Sequence, residues 1–237
     1  MKLLSLLNMT HQEWYFLSGK WGAAGYPFIE EEKGFQIAAY DYSEGCKYCG
    51  IGWKQKGKFI FEKKPKSKNI QFLSPYWTRA LFVRGSVKTV FEKKNISGIE
   101  FLSVYLKNGK EIENLYQLYV TTILSPGLIP GDLNMELCEN KIKDDKLKKE
   151  LIAKEIYYMG PWCGKIKYNY SQGDKRALFK KEIFEHQPDF VLTNEWFGSG
   201  AGADRQILVS QKVKQIIEQN HWIGPIKGAN LFPIQVQ

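Results

Sequence analysis

Four cysteines carry the most specific chemistry in this chain: Cys46, Cys49, Cys138 and Cys163. Cys46-Lys47-Tyr48-Cys49-Gly50 has the spacing of a zinc knuckle, in which two thiolates bind one ion and a glycine permits the tight turn behind the second. Gly160-Pro161-Trp162-Cys163-Gly164 repeats the pattern with glycine in place of the first cysteine, and Cys138 stands 25 residues before Cys163. A tetrahedral structural site takes four ligands, so Cys46, Cys49, Cys163 and Cys138 make the economical set for one structural zinc. Two other outcomes use the same residues: buried thiols without metal, and a thioredoxin-type redox pair. The redox pair belongs at a helix N-terminus after a strand, whereas Ile51-Gly52-Trp53 reads as strand or turn. Four cysteines in 237 residues are too sparse for a disulfide framework, which points to a reducing compartment.

Catalytic constellations fare worse. Ser-His-Asp or Cys-His chemistry needs a positioned base, and the chain has three histidines, His11, His186 and His221. Only His186 adjoins an acid, Glu185, and neighbours on an extended chain point apart. His221 ends an amphipathic stretch and reads as a capping residue, while Asp144-Asp145 falls in a charge run and reads as a solvated face. Gly198-Ser199-Gly200-Ala201-Gly202 invites a phosphate-loop reading, but it precedes a strand instead of following one and opening a helix. It reads as a contact loop for a protein partner. No enzyme is expected.

Lys plus Arg number 34 against 25 for Asp plus Glu, a net charge of +9, which speaks about partners rather than fold. Seven lysines from Lys54 to Lys68 interleave with Phe59 and Phe61, the mixture that neutralises phosphates and stacks on bases. A basic zinc-knuckle-like nucleic-acid-binding module is therefore the alternative function, although no helix-turn-helix, RNP or C2H2 spacing accompanies it. Phe59-Ile60-Phe61 itself reads as an edge hairpin guarded by lysine. With 43% hydrophobic and 14% aromatic residues and no long apolar run, the chain reads as globular, without a membrane partner. Met1 to His11 reads as a first strand, since its apolar stretch ends at Leu7, too short for a secretion signal.

The elements that must position these residues are organised by a repeat at an offset of 126. Arg79, Val83, Val87, Lys88, Glu92 and Gly98 recur as Arg205, Val209, Val213, Lys214, Glu218 and Gly224. In each copy a short apolar run (80–83; 206–209) suits a strand, and Val87/Val90/Phe91 and Val213/Ile216/Ile217 have the spacing of a helix with one buried stripe. Gly98 and Gly224 stand where a helix stop wants positive φ, before extended stretches at 99–106 and 226–236. Residues 140–159 roughly follow a helical period and read as a solvated connecting helix. The expected fold is α+β: two similar halves, 1–135 and 136–237, each a mixed β-sheet with a strand-helix-strand unit, packed as one body.

With these features together, the sequence resembles the double-CXXCG motif family of bacterial immunity proteins. The likeness rests on Cys46-Lys47-Tyr48-Cys49-Gly50 with Trp53, on Trp162-Cys163-Gly164, and most specifically on the tail from Thr193-Asn194-Glu195-Trp196-Phe197-Gly198-Ser199-Gly200 through Arg205 to Val213. It departs from the family at Gly160, where the second knuckle should begin with cysteine. The resemblance implies a cytoplasmic protein that binds and neutralises a cognate toxin domain by protein contact, without catalysis. Interfaces of that kind are anchored by a few aromatic and arginine residues. The expected anchors are Trp196, Phe197 and Arg205 around the glycine-rich loop, and Trp77 and Arg79 at the matching place in the first copy.

Overall fold

A computed structural model describes residues 13–30, 36–46, 48–131, 133–139, 146, 149, 162–169, 176–199 and 202–237. The strand expected within residues 1–11, Asp144-Asp145 and Gly160 lie outside the described residues. So does most of the linking segment 140–159, of which Lys146 and Lys149 are described and helical.

The strands, in chain order, are β1 (Trp14–Ser18), β2 (Tyr40–Asp41), β3 (Lys54–Gln55), β4 (Ile60–Phe61), β5 (Phe72–Leu73), β6 (Leu81–Arg84), β7 (Ile99–Leu106) and β8 (Glu111–Val120). There follow β9 (Leu128–Ile129), β10 (Met135–Leu137), β11 (Ile166–Tyr168), β12 (Leu178–Phe179), β13 (Phe190–Phe197), β14 (Asp204–Ser210), β15 (Asn230–Pro233) and β16 (Gln235–Val236). Helix α1 (Gly85–Lys93) follows β6, and α2 (Gln211–Gln219) follows β14. The chain is thus mixed α+β and mostly sheet. A five-stranded sheet runs β4-β7-β8-β6-β5 and a six-stranded sheet runs β10-β11-β13-β14-β1-β15.

Side chains on a strand alternate between its faces, and this decides where each core sits. Along β1, Tyr15 and Leu17 enter one hydrophobic cluster while Trp14 and Phe16 enter another, so an unbroken apolar run is buried on both sides. The first of these clusters also takes Phe72, Leu81, Val83 and Leu118 from the five-stranded sheet and the buried stripes of both helices, Val87/Phe91 and Val213/Ile216/Ile217. Both helices are therefore held in one core shared by the two sheets. Leu73, Phe82 and Leu115 turn to the opposite face of the five-stranded sheet, where they meet Phe59 and Phe61. The edge hairpin expected around Phe59 to Phe61 is instead an edge strand, β4, paired parallel with β7, and both rings are fully buried.

The two helices are framed alike. Arg84 and Ser210 are extended N-caps, and Lys94 and Asn220 end the helices at φ/ψ of −91/5° and −93/4°. The stop is made by Asn95 and His221, at φ 49° and 55°, three residues before the expected Gly98 and Gly224. Asparagine tolerates the left-handed region because its short polar side chain bonds locally, so no glycine is needed there. Each helix carries an i,i+4 ion pair, Lys88–Glu92 and Lys214–Glu218, and each of those lysines also lies over a tyrosine ring, Tyr116 and Tyr15 respectively. The strand orders match too: β5-β6-β8-β7 in one sheet and β13-β14-β1-β15 in the other, with every neighbouring pair antiparallel. The place that β8 holds beside β6 is held beside β14 by β1, so Val83 faces Tyr116 as Val209 faces Tyr15.

The segments after the helices cross to the opposite sheet. Gln71 and Phe72 N–H donate to the Lys227 carbonyl at 2.7 and 3.2 Å, and Phe190 N–H donates to the Ser97 carbonyl at 3.1 Å. A Cβ on Gly98 would lie 2.2 Å from the Phe190 oxygen, and one on Gly228 would lie 2.2 Å from the Phe72 oxygen; both glycines also have positive φ. Only glycine admits that approach.

Asp189 fastens the same junction. Its carboxylate accepts from Ser97 N–H and Oγ at 3.1 Å, from Ser210 Oγ at 2.9 Å and from Lys212 at 3.2 Å, while Ser210 Oγ also caps α2 through Val213 N–H. Burial opposes its ionisation, but these donors outweigh burial and hold the carboxyl below its ordinary range. A folded pKa below the unfolded one means the stabilisation is present above the ordinary carboxylate pKa and is lost as pH falls through the folded value. Asp189→Asn is expected to cost about 1–3 kcal/mol at pH 7, with a difference from wild type that shrinks in acid. Urea melts at a series of pH values measure it; a difference independent of pH contradicts the assignment.

Candidate metal centre and the adjoining cleft

The structure brings all four cysteines together. Cys46 Sγ lies 3.6 Å from Cys138 Sγ, and Cys49 Sγ lies 3.6 Å from Cys163 Sγ. All four sulfurs fall within 4.8 Å of one another, and all four cysteines are free. Four thiolates at about 2.3 Å around one ion stand roughly 3.8 Å apart, against about 2.05 Å in a disulfide. The arrangement therefore fits a tetrahedral metal site after sub-ångström adjustment.

Local structure explains the convergence. Within the knuckle Cys46 N–H donates to the Ile51 carbonyl and Gly50 N–H to the Cys46 carbonyl, both at 2.9 Å, with Gly50 at φ 78° as the tight turn requires. Cys138 follows β10, and β10 pairs with β11, so its N–H reaches the Lys165 carbonyl at 3.0 Å while Gly164 N–H returns to the Cys138 carbonyl at 3.2 Å. That pairing sets Cys138 beside Cys163. It supplies through a strand ladder the thiol that position 160 lacks. Ile51 and Ala203 complete the apolar shell, with Tyr48, Trp162 and Trp196 packed against it.

Beneath the sulfurs lies a buried cation that sequence reasoning missed. Lys167, on β11, is 1% exposed; its ammonium donates to the Cys49 and Gly202 carbonyls at 3.3 Å and stands 3.9 Å from the Glu136 carboxylate. Lysine is ordinarily a surface residue, and nothing in Ile166-Lys167-Tyr168 marks it as inward-facing. Around a divalent ion four thiolates leave a net charge of −2, which a nearby ammonium partly offsets. The thiols differ in ease of ionisation. Burial raises Cys49 and Cys138, while at Cys46 backbone hydrogen bonds from Cys49 and Tyr48 overcome burial and bring the thiol down to about 7.

Trp196, Asp204 and Arg205, with Trp53 just before β3, also line a cleft of about 580 Å³ between the two sheets. Trp77 and Arg79 line it from the first copy. Four of the five expected anchors thus meet at one cleft. Phe197 does not: it follows Trp196 on β13, so it points to the other face and is fully buried among Phe16, Val191 and Leu208. Arg205 lies with its guanidinium 4.7 Å from the Trp196 ring centre and donates to the Thr193 and Asn194 carbonyls; burial lowers its pKa. Arg79 lies 4.7 Å over the Trp21 ring, and its backbone N–H donates to Asp204 Oδ1 at 3.3 Å, tying the two copies together across the cleft. Gly198 and Gly202 belong to the β13–β14 hairpin turn, whose far side rests on Lys167. Gly200 and Ala201 lie outside the described residues.

The nucleic-acid alternative asked Phe59 and Phe61 to stack on bases, and both rings are fully buried. No helix among the described residues is long and apolar enough to cross a membrane. No protein-family model matches the chain, and no curated protein matches it.

Proposed function

We propose that this chain is an immunity protein of the double-CXXCG kind, binding a cognate toxin domain in the cytoplasm and blocking it by protein contact, with one structural zinc on Cys46, Cys49, Cys138 and Cys163. The observation that carries this reading is the union of the cysteine cluster with the cleft. Trp196 and Ala203 pack on the cysteine cluster and also line the cleft, which Trp77 and Arg79 line from the other copy. A structural metal there stiffens a recognition wall built from short strands and loops, which lowers the ordering cost of binding. The same reading takes the body as two related halves, 1–135 and 136–237, the second completed by β1 from the N-terminal end. Matching helix stops, ion pairs and strand orders support it.

The test is co-expression with the toxin domain encoded beside this gene. Growth is expected to be rescued and the two chains to co-purify, with an interface of about 1,200–2,000 Å² anchored at the cleft. A chain that neither rescues nor co-purifies, yet retards DNA or RNA at about 150 mM salt, belongs to the basic-module class instead.

A further inference from the structure

Trp77 lines a second hollow as well as the cleft, a groove of about 710 Å³ between the loop at 22–29 and the segment 62–67 that follows β4. We propose that this groove and the aromatic cluster beside it form a docking surface for an acidic protein segment, one apolar side chain of which enters the groove between flanking carboxylates. The proposal deepens the toxin-binding reading by naming the partner's chemistry, and rests on it only for the partner's identity.

The cluster is exposed and rigid at once. Trp21, Tyr26 and Trp77 are 46%, 49% and 43% exposed. Tyr76 joins them: its ring stacks on Tyr26 at 4.6 Å and meets Trp21 edge-on at 6.1 Å, while Tyr26 and Trp77 lie 4.9 Å apart. Both sides of Trp77 are pinned. Tyr76 N–H donates to the Gly25 carbonyl at 3.0 Å, and Thr78 Oγ1 is 2.8 Å from Tyr40 Oη and accepts from Ala80 N–H. Trp77 itself is held at φ 68°, an outlier for a bulky residue. Strain of that kind persists only where surrounding structure imposes it, and here it holds out a large ring that folding alone would bury. Rigid Trp and Tyr side chains with an Arg beside them, here Arg79 over Trp21, are what interface hot spots are made of.

The chemistry around the groove selects the occupant. Its floor is apolar, with Pro27, Phe28 and Pro65, and Lys63, Lys64 and Lys66 stand exposed on its rim. Glu62, the one carboxylate among the described lining residues, is engaged by Lys107. Such a rim attracts carboxylates and repels a basic partner. Single-stranded nucleic acid also seeks lysines and rings, but it needs ring faces open to successive bases. Here Tyr26 and Tyr76 stack on each other and Trp77 tilts 52° against Tyr26, which favours a protein segment.

The test uses the whole chain and a phage-displayed random dodecapeptide library, selected at about 150 mM salt so that charge alone does not suffice. Enriched peptides are expected to place Asp or Glu around a large apolar residue. Binding of the synthesised winner is expected to fall at least about tenfold in Trp77→Asn, which keeps the left-handed backbone accessible, and in the Lys63→Glu/Lys64→Glu/Lys66→Glu variant. Should Trp77→Asn fold poorly, Tyr26→Ser and the lysine variant carry the test. Peptides without acidic enrichment, or binding unchanged by these variants, overturn the proposal. So does a labelled oligothymidylate that binds at this salt and is lost in the same variants. Peptide binding at this surface without toxin neutralisation defeats the toxin reading and leaves the surface standing. Full neutralisation by the Tyr26→Ser and lysine variants does the reverse.

Discussion

Purified without chelator, the chain is expected to carry about one equivalent of zinc, and stripping it is expected to lower the melting temperature by roughly 8–16 °C. The magnitude follows from what four thiolates do for a divalent ion: structural zinc gains on the order of 10 kcal/mol in small domains. In this chain part of that is spent reordering the knuckle, since the main cores do not involve the metal. A net loss of about 4 kcal/mol shifts a domain of this size by roughly 8–16 °C. Metal lowers the effective pKa of its thiol ligands, so its contribution is present at neutral pH and disappears as acid reprotonates them. Cys49→Ser should abolish zinc uptake and reproduce the chelator's effect, and adding chelator to that variant should change nothing further. Metal content below about 0.1 equivalent, or a melt indifferent to chelator, sinks the site.

Phe91→Ala is the second large effect. The Phe91 ring is fully buried in the shared core, 5.8 Å from Phe190, 6.1 Å from Trp222 and 6.3 Å from Phe72. It therefore packs against β5 of one sheet, β13 of the other and the segment after α2. Truncating such a ring costs about 3–5 kcal/mol, because the surrounding core relaxes only partly into the cavity. The whole body is expected to lose stability in one transition, since the cavity opens against both sheets. Urea unfolding followed by tryptophan fluorescence and by circular dichroism tests this. Two separated transitions, with only one moved, would show that the sheets unfold independently and that the shared core does not couple them.

The two helices of the expected repeat were legible because their buried stripes recur at one spacing, and a stripe is a local property. The strands of that repeat were less so. Asn108-Gly109 between β7 and β8 is a hairpin signal, with Gly109 at the positive φ of 81° that such a turn asks for, but a turn signal alone does not say which strands lie beside the pair. The helix stops slipped by three residues because Asn95 and His221 accept a conformation for which glycine is the ordinary choice.

The sequence by itself named the four candidate ligands, because a metal site asks for four soft donors and the chain has four cysteines. It also determined the two amphipathic helices and the aromatic and arginine candidates, all properties of residue type and short spacing. Only the tertiary structure decided that β1 closes the second sheet, that Phe197 turns inward while Trp196 faces the cleft, and that Lys167 lies beneath the sulfurs. The same holds for Trp21, Tyr26 and Trp77 gathering at one surface. The physical reason is common to all of these. Strand partners are chosen by contacts between residues far apart in the chain, and a one-residue step along a strand reverses the face a side chain meets. Which face is covered is settled by what packs on it, and no local pattern records that.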